Sequence, residues 1–184
     1  MSAFPNWKNF VVVQRRPATG CIPTGYEMIL RSCGAEGINF ESFQDDFDLD
    51  INLGNGQSEP RNNFGSVASE IQKKYGWLKF DQKSFSSGLE KVAFIDTKLA
   101  SQQPVLVSVS LEAAGSAGWH IMPIVDSTED QYLFLKYVDP DGKMQIEWVD
   151  KTVLAQIHDN FSGGKEVAFL SEIGQPTAPH SQDK

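Results

Sequence analysis

The feature that most constrains this chain is a change of rhythm at Pro104. Beyond it, VLVSVSL (105–111), WHIMPIVD (119–126), YLFLKYVD (132–139), MQIEWV (144–149) and VAFLSEI (167–173) are β-branched or aromatic runs separated by turn residues. That is the pattern of strands. A short amphipathic piece, Val153 to Ile157, precedes the last of them. Before Pro104 the period is helical. Tyr26, Ile29, Leu30 and Cys33 recur at helical spacing until Gly34, and Phe40, Phe43, Phe47 and Ile51 share a second helical face. Asn63 is placed to cap a helix carrying Phe64, Val67, Ala68, Ile71 and Tyr75, and Ser87 with Glu90 forms a capping box ahead of Leu89, Val92, Ala93 and Leu99. Between the Phe40–Ile51 face and the helix capped by Asn63, LGNGQSEPRNN (53–63) reads as a loop that can border a cleft. Helices first and strands afterwards predict an α+β fold, a helical lobe packed on an antiparallel sheet.

The length of 184 residues fits one domain, over residues 1–173, with a disordered tail at 174–184. A net charge of −8 argues against a nucleic-acid or anionic-membrane surface, whose phosphates would repel the chain. No apolar run approaches the ~20 residues of a membrane span, and the start lacks the basic and apolar regions of a signal peptide. Two cysteines are too few for a disulfide framework. On one helix Cys21 and Cys33 stand about 18 Å apart, too far for a bridge. Two reduced thiols suit a cytoplasmic protein.

The stretch QRRPATGCIPTGYEMILRSCG (14–34) carries the chemistry. A broken loop leads into Cys21, and the helix begins there, with Pro23 in its first turn. A helix start presents unsatisfied backbone N–H groups and the positive end of the dipole, which favour a thiolate. Cys33, on the apolar stripe, reads as a packing residue. Of the three histidines, His180 lies in the tail and His158 in a helix-end context, whereas His120 opens a strand after the small-residue loop AAGSAGW. His120 is the best base.

A tight turn centred on Glu129 and Asp130 sets Thr128 opposite Gln131, and counting back pairs His120 with Asp139. Directly opposed side chains have Cβ atoms ~5 Å apart, close enough for an imidazole–carboxylate bond. Asp126, on the same strand, is about 20 Å away. The Cys21 N–H and the Gln14 amide are candidate oxyanion donors. Asp45, Asp46, Asp48 and Asp50 read as a solvated face, and Cys21, His120 and Asp139 contain no close-spaced ligand pair. No metal or other cofactor is predicted.

Gln14, Cys21 opening a helix, His120 on a later strand and Asp139 ending the next one resemble, in order and element type, the papain-like cysteine peptidases. Within these, the chain is most similar to the bacterial branch related to the C39 bacteriocin-processing peptidases, over residues 14 to about 142. The resemblance implies a papain-like fold and a peptide or protein substrate. It implies Cys21 as nucleophile, His120 as base and acid, Asp139 as orienter and Gln14 as oxyanion-hole residue. Trp119, beside His120, is expected to line the cleft. Ile22-Pro23-Thr24 follows Cys21 where C39 peptidases have Gly, and Gln14 lies further from the cysteine than in those families. These 184 residues contain no ATP-driven exporter, so specificity for double-glycine leaders is not implied. A papain-like fold that binds a peptide without cleaving it is the alternative expectation.

Overall fold

The computed structural model describes residues 6–15, 20–47, 50–55, 57–60 and 63–176. Its helices are α1 (Cys21–Ser32), α2 (Phe43–Phe47), α3 (Phe64–Lys74), α4 (Gly88–Ala100) and α5 (Lys151–Asn160). A two-stranded sheet pairs β1 (Asp50–Gly54) with β2 (Gln57–Pro60). The main sheet contains β3 (Leu78–Ser84), β4 (Val105–Ser110), β5 (Trp119–Ser127), β6 (Gln131–Val138), β7 (Met144–Asp150) and β8 (Glu166–Ile173). Its order is β3-β8-β4-β5-β6-β7, antiparallel throughout. The fold is thus α+β, with α1 to α3 preceding the main sheet and α4 and α5 interleaved with its strands.

Alternation along the strands splits the core between the two faces. On one face, Tyr26, Ile29 and Leu30 of α1 pack with Phe43, Phe64 and Ile71 against Phe80, Leu106 and Ile121. On the other, Ile95 and Leu99 of α4 and Leu154 of α5 cover Val105, Val107, Met122, Ile124 and Phe134. Helix α1 lies close on β4: a Cβ added at Gly25 would sit 2.6 Å from a Leu106 methyl. A third cluster joins Met28 to Val125, Leu133, Leu135 and Val138, with Trp7, Val11 and Val12 of the leading segment packed on it.

Local signals placed several boundaries correctly. The Asn63 carboxamide accepts from Ser66 N–H at 2.8 Å, and the Ser87 hydroxyl accepts from Glu90 N–H at 3.2 Å. The other half of the predicted capping box does not form, because Glu90 accepts from Ser86 instead. Three readings need correction. The helix predicted to reach Ile51 stops at Phe47, and residues read as loop belong to the β1–β2 hairpin. Asp, Asn and Gly are poor helix formers, and Asn55 takes the left-handed turn conformation at φ 53°. Strand β3 was hidden because only Leu78 and Phe80 at its start are buried. In α4 the buried face is Gly88, Lys91, Ile95 and Leu99, leaving the predicted Leu89 77% exposed. His180, Asp48 and residues 177–184 of the tail lie outside the described residues.

Candidate active site

Cys21 is the first residue of α1, half-buried, behind Gly20; no side chain among the described residues caps this end. The Thr24 hydroxyl points back to the Gly20 carbonyl at 2.6 Å. Cys21 lines a crevice with Gln14, Thr24, Ile121 and the 135–138 stretch of β6.

What holds Gln14 there is Gln44, which sequence reasoning missed. The buried carboxamide of Gln44 accepts from Arg15 N–H at 2.9 Å and donates to the Val13 carbonyl at 3.0 Å, clamping the backbone on both sides of Gln14. The Thr24 hydroxyl also lies 3.0 Å from the same Gln44 oxygen, tying the clamp to α1. Beneath it the carboxyl of buried Glu27 has its pKa raised by burial, only partly offset by Arg31 at 3.1 Å. No periodicity distinguishes a clamping glutamine from a solvated one, so its role was not legible.

His120 and Asp139 line a neighbouring crevice that shares Gln14, Tyr137 and Val138 with the first. The predicted turn forms, with Thr128 N–H donating to the Gln131 carbonyl at 2.8 Å. A bulge between Ile124 and Asp126 then shifts the register by one residue. His120 lies beyond the paired stretch, and the ladder sets it opposite no residue of β6. The β5–β6 pairing ends at Ile124, next to Pro123, which has no N–H to donate. In this split, the His120 ring reaches the Lys136 carbonyl, 2.8 Å from Nε2. Lys136 sits at the irregularity in the β6–β7 ladder, where a bulge re-aims its carbonyl. A carbonyl only accepts, so Nε2 carries the proton and Nδ1 is the basic nitrogen. The Asp139 carboxylate accepts from Gln145 at 2.8 Å, at the start of the Asp139–Gly142 turn. The expected imidazole–carboxylate bond is therefore replaced by two others.

Trp119 does not share His120's crevice. Neighbouring residues on a strand face opposite ways, and Trp119, with Ile121 and Phe64, walls a separate cavity on the α1 side. Cys33 is also corrected: it lies exposed at the C-cap of α1, where Gly34 at φ 65° turns the chain away. Its thiol pKa is raised by the surrounding protein, with the Ser32 hydroxyl opposing the shift. His158 is buried in α5, its Nε2 3.1 Å from the Phe85 carbonyl. Among the described residues no cluster of His, Cys, Asp and Glu is arranged to hold a metal ion, and no helix is long and apolar enough to cross a membrane.

A cysteine-initiated helix packed on a later antiparallel sheet defines the papain-like peptidase fold. The chain superposes on a C39-like peptidase candidate from Bacillus anthracis with a TM-score of 0.55, covering 92% of this chain and 97% of that one at 14% identity. It also matches UfSP from C. elegans at a TM-score of 0.44 and 12% identity, over 92% of this chain and 33% of that one. No family model and no curated protein matches the sequence.

Proposed function

We propose that this chain is a cysteine peptidase or related amide hydrolase that works through a thioester acyl-enzyme. Cys21 is the nucleophile, His120 the general base and acid, Asp139 the supporting carboxylate and Gln14 the oxyanion donor. The observation that carries the reading is Cys21 as the first residue of α1, in a crevice whose Gln14 wall is shared with the crevice of His120 and Asp139. The thiol proton passes to His120 Nδ1, the sulfur attacks the amide carbonyl, and the leaving amine takes that proton. Water, deprotonated by the same nitrogen, then cleaves the thioester and regenerates the thiol. The Lys136 carbonyl supports this by holding the tautomer, a task that the family pattern gives to the carboxylate.

The second reading is a papain-like module that binds a peptide without turnover. It is favoured by the Asp139 carboxylate resting on Gln145 instead of His120. Iodoacetamide at neutral pH separates the two. The hydrolase reading expects Cys21 to label much faster than Cys33, with His120→Ala slowing Cys21 alone. Equal labelling of the two thiols would sink it, and an electrophilic peptide that leaves Cys21 unmodified would favour the binding module.

A further inference from the structure

The main sheet ends in two edges of unlike character. At one end, β3 carries Lys79, Asp81 and Lys83 in alternation, with Lys79 3.8 Å from Asp81 and a register shift between Lys79 and Phe80. Charges and bulges of this kind keep an edge from pairing with another chain. At the other end, β7 has no strand beside its outer edge among the described residues. It offers Ile146 at 47% exposure and Trp148 at 43%. Strand alternation places both on one face with Met144, and Gln145 and Glu147 on the other. The Glu147 carboxylate is already neutralised by Lys136 at 3.2 Å.

A free edge takes a strand, and that strand must match both faces: apolar beside Ile146 and Trp148, polar beside Gln145 and Glu147. β7 itself meets the demand. Antiparallel pairing about a two-fold axis through Ile146 sets Ile146 against its own copy, Met144 against Trp148 and Gln145 against Glu147. Asp150 then falls opposite Gly142. A net charge of −8 makes like-charge contact between copies costly, and this register opposes none along Met144–Asp150. The neighbouring registers fit less well. An axis through Glu147 would oppose the two Glu147 carboxylates, and one through Gln145 would leave Trp148 against Gly142.

We propose that β7 is a self-association surface, through which two copies of this chain join edge to edge in the register centred on Ile146. The pairing closes on itself. It consumes both β7 edges and leaves outside only the charge-protected β3 edges, so association stops at two copies. It also reaches the candidate site. Gln145 donates one amide hydrogen to Asp139 at 2.8 Å, and across the axis its second faces Glu147 of the other copy. One strand edge is a small contact beside the standard interface of about 1,600 Å², so the expected dissociation constant is on the order of 10 µM.

Sedimentation equilibrium of the full chain from about 1 to about 200 µM tests this. The mass should rise from 20.4 kDa toward twice that value. Ile146→Lys sets like charges against each other on the axis and should stay monomeric across the range. Leu89→Lys, at a 77% exposed position on α4, removes a surface apolar residue far from β7 in sequence and should associate like the wild type. The register is read by oxidation in a Cys21→Ser, Cys33→Ser background. Ile146→Cys should form a linked dimer about ten-fold more readily than Trp148→Cys, because only position 146 faces its own copy. A chain that stays monomeric, leaving the edge to a strand of another protein, would overturn the proposal. So would a mass climbing beyond two copies, association that survives Ile146→Lys or that Leu89→Lys equally abolishes, or equal cross-linking at the two positions.

Discussion

Replacing Lys91 with Met keeps the length and apolar stem of a side chain that is 1% exposed, and removes only the amine. Burial, reinforced by repulsion from Lys165, pulls the lysine from its ordinary 10.5 down to about 7. The bonding pattern fits this direction. A neutral amine has two N–H groups, and two carbonyls accept from it; an ammonium would carry a third with no acceptor among the described residues. Between pH 7 and 10.5 the unfolded chain therefore holds a proton that the folded chain lacks, and raising the pH through that window favours the fold. His158, whose pKa is lowered by burial and then by Lys91 and Lys165, also packs here, with Asp159 beside it. Measuring above pH 7.5 keeps the His158 titration out of the comparison. From pH 7.5 to 9, one proton's difference is worth about 2 kcal/mol of added stability in the wild type. Lys91→Met lacks that rise. It also leaves two buried carbonyls unpaired, at roughly 1–3 kcal/mol each. Urea unfolding followed by tryptophan fluorescence at pH 7.5 and 9 should show the variant's deficit growing by about 2 kcal/mol at the higher pH. Parallel pH dependences, or a deficit that shrinks as pH rises, would refute the reasoning, because the ammonium would then be the form the fold prefers.

Two further outcomes follow from the packing around Cys21. Gln44→Leu removes the clamp on Val13 and Arg15, and should destabilise the fold by about 1–3 kcal/mol in thermal unfolding. The same variant should react more slowly with an electrophilic peptide, which needs Gln14, while its iodoacetamide rate stays near wild type. Gly25→Val places atoms where Leu106 already sits, 2.6 Å from the added Cβ, and should cost about 1–3 kcal/mol or more by overpacking. A stability within about 0.5 kcal/mol of wild type would show that α1 can lift from β4 at little cost.

Local interactions were legible because they span only a few residues. Asn63 and Ser87 cap their helices, the Thr128–Gln131 turn closes as counted, and the Asp139–Gly142 turn forms where proline and glycine invite it. Helices before strands indicated the α+β class, and the order of Gln14, Cys21, His120 and Asp139 indicated a papain-like arrangement. The errors arose where distant elements decide. Lys91 and Gln44 carry no sequence signal of their roles, which arise only where α4 turns its face toward Ser108 and Gly164 and where α2 meets the leading segment.

The sequence alone therefore determined which residues could do chemistry: a cysteine where helix N–H groups collect, and a histidine at a strand start. Their mutual position was decided by the tertiary structure. One bulge in β5 moves the register by a residue, and Pro123 ends the β5–β6 ladder by withholding its donor. That small change leaves His120 on the Lys136 carbonyl and Asp139 on Gln145, while the alternation of strand side chains puts Trp119 on the face opposite His120, over a cavity of its own.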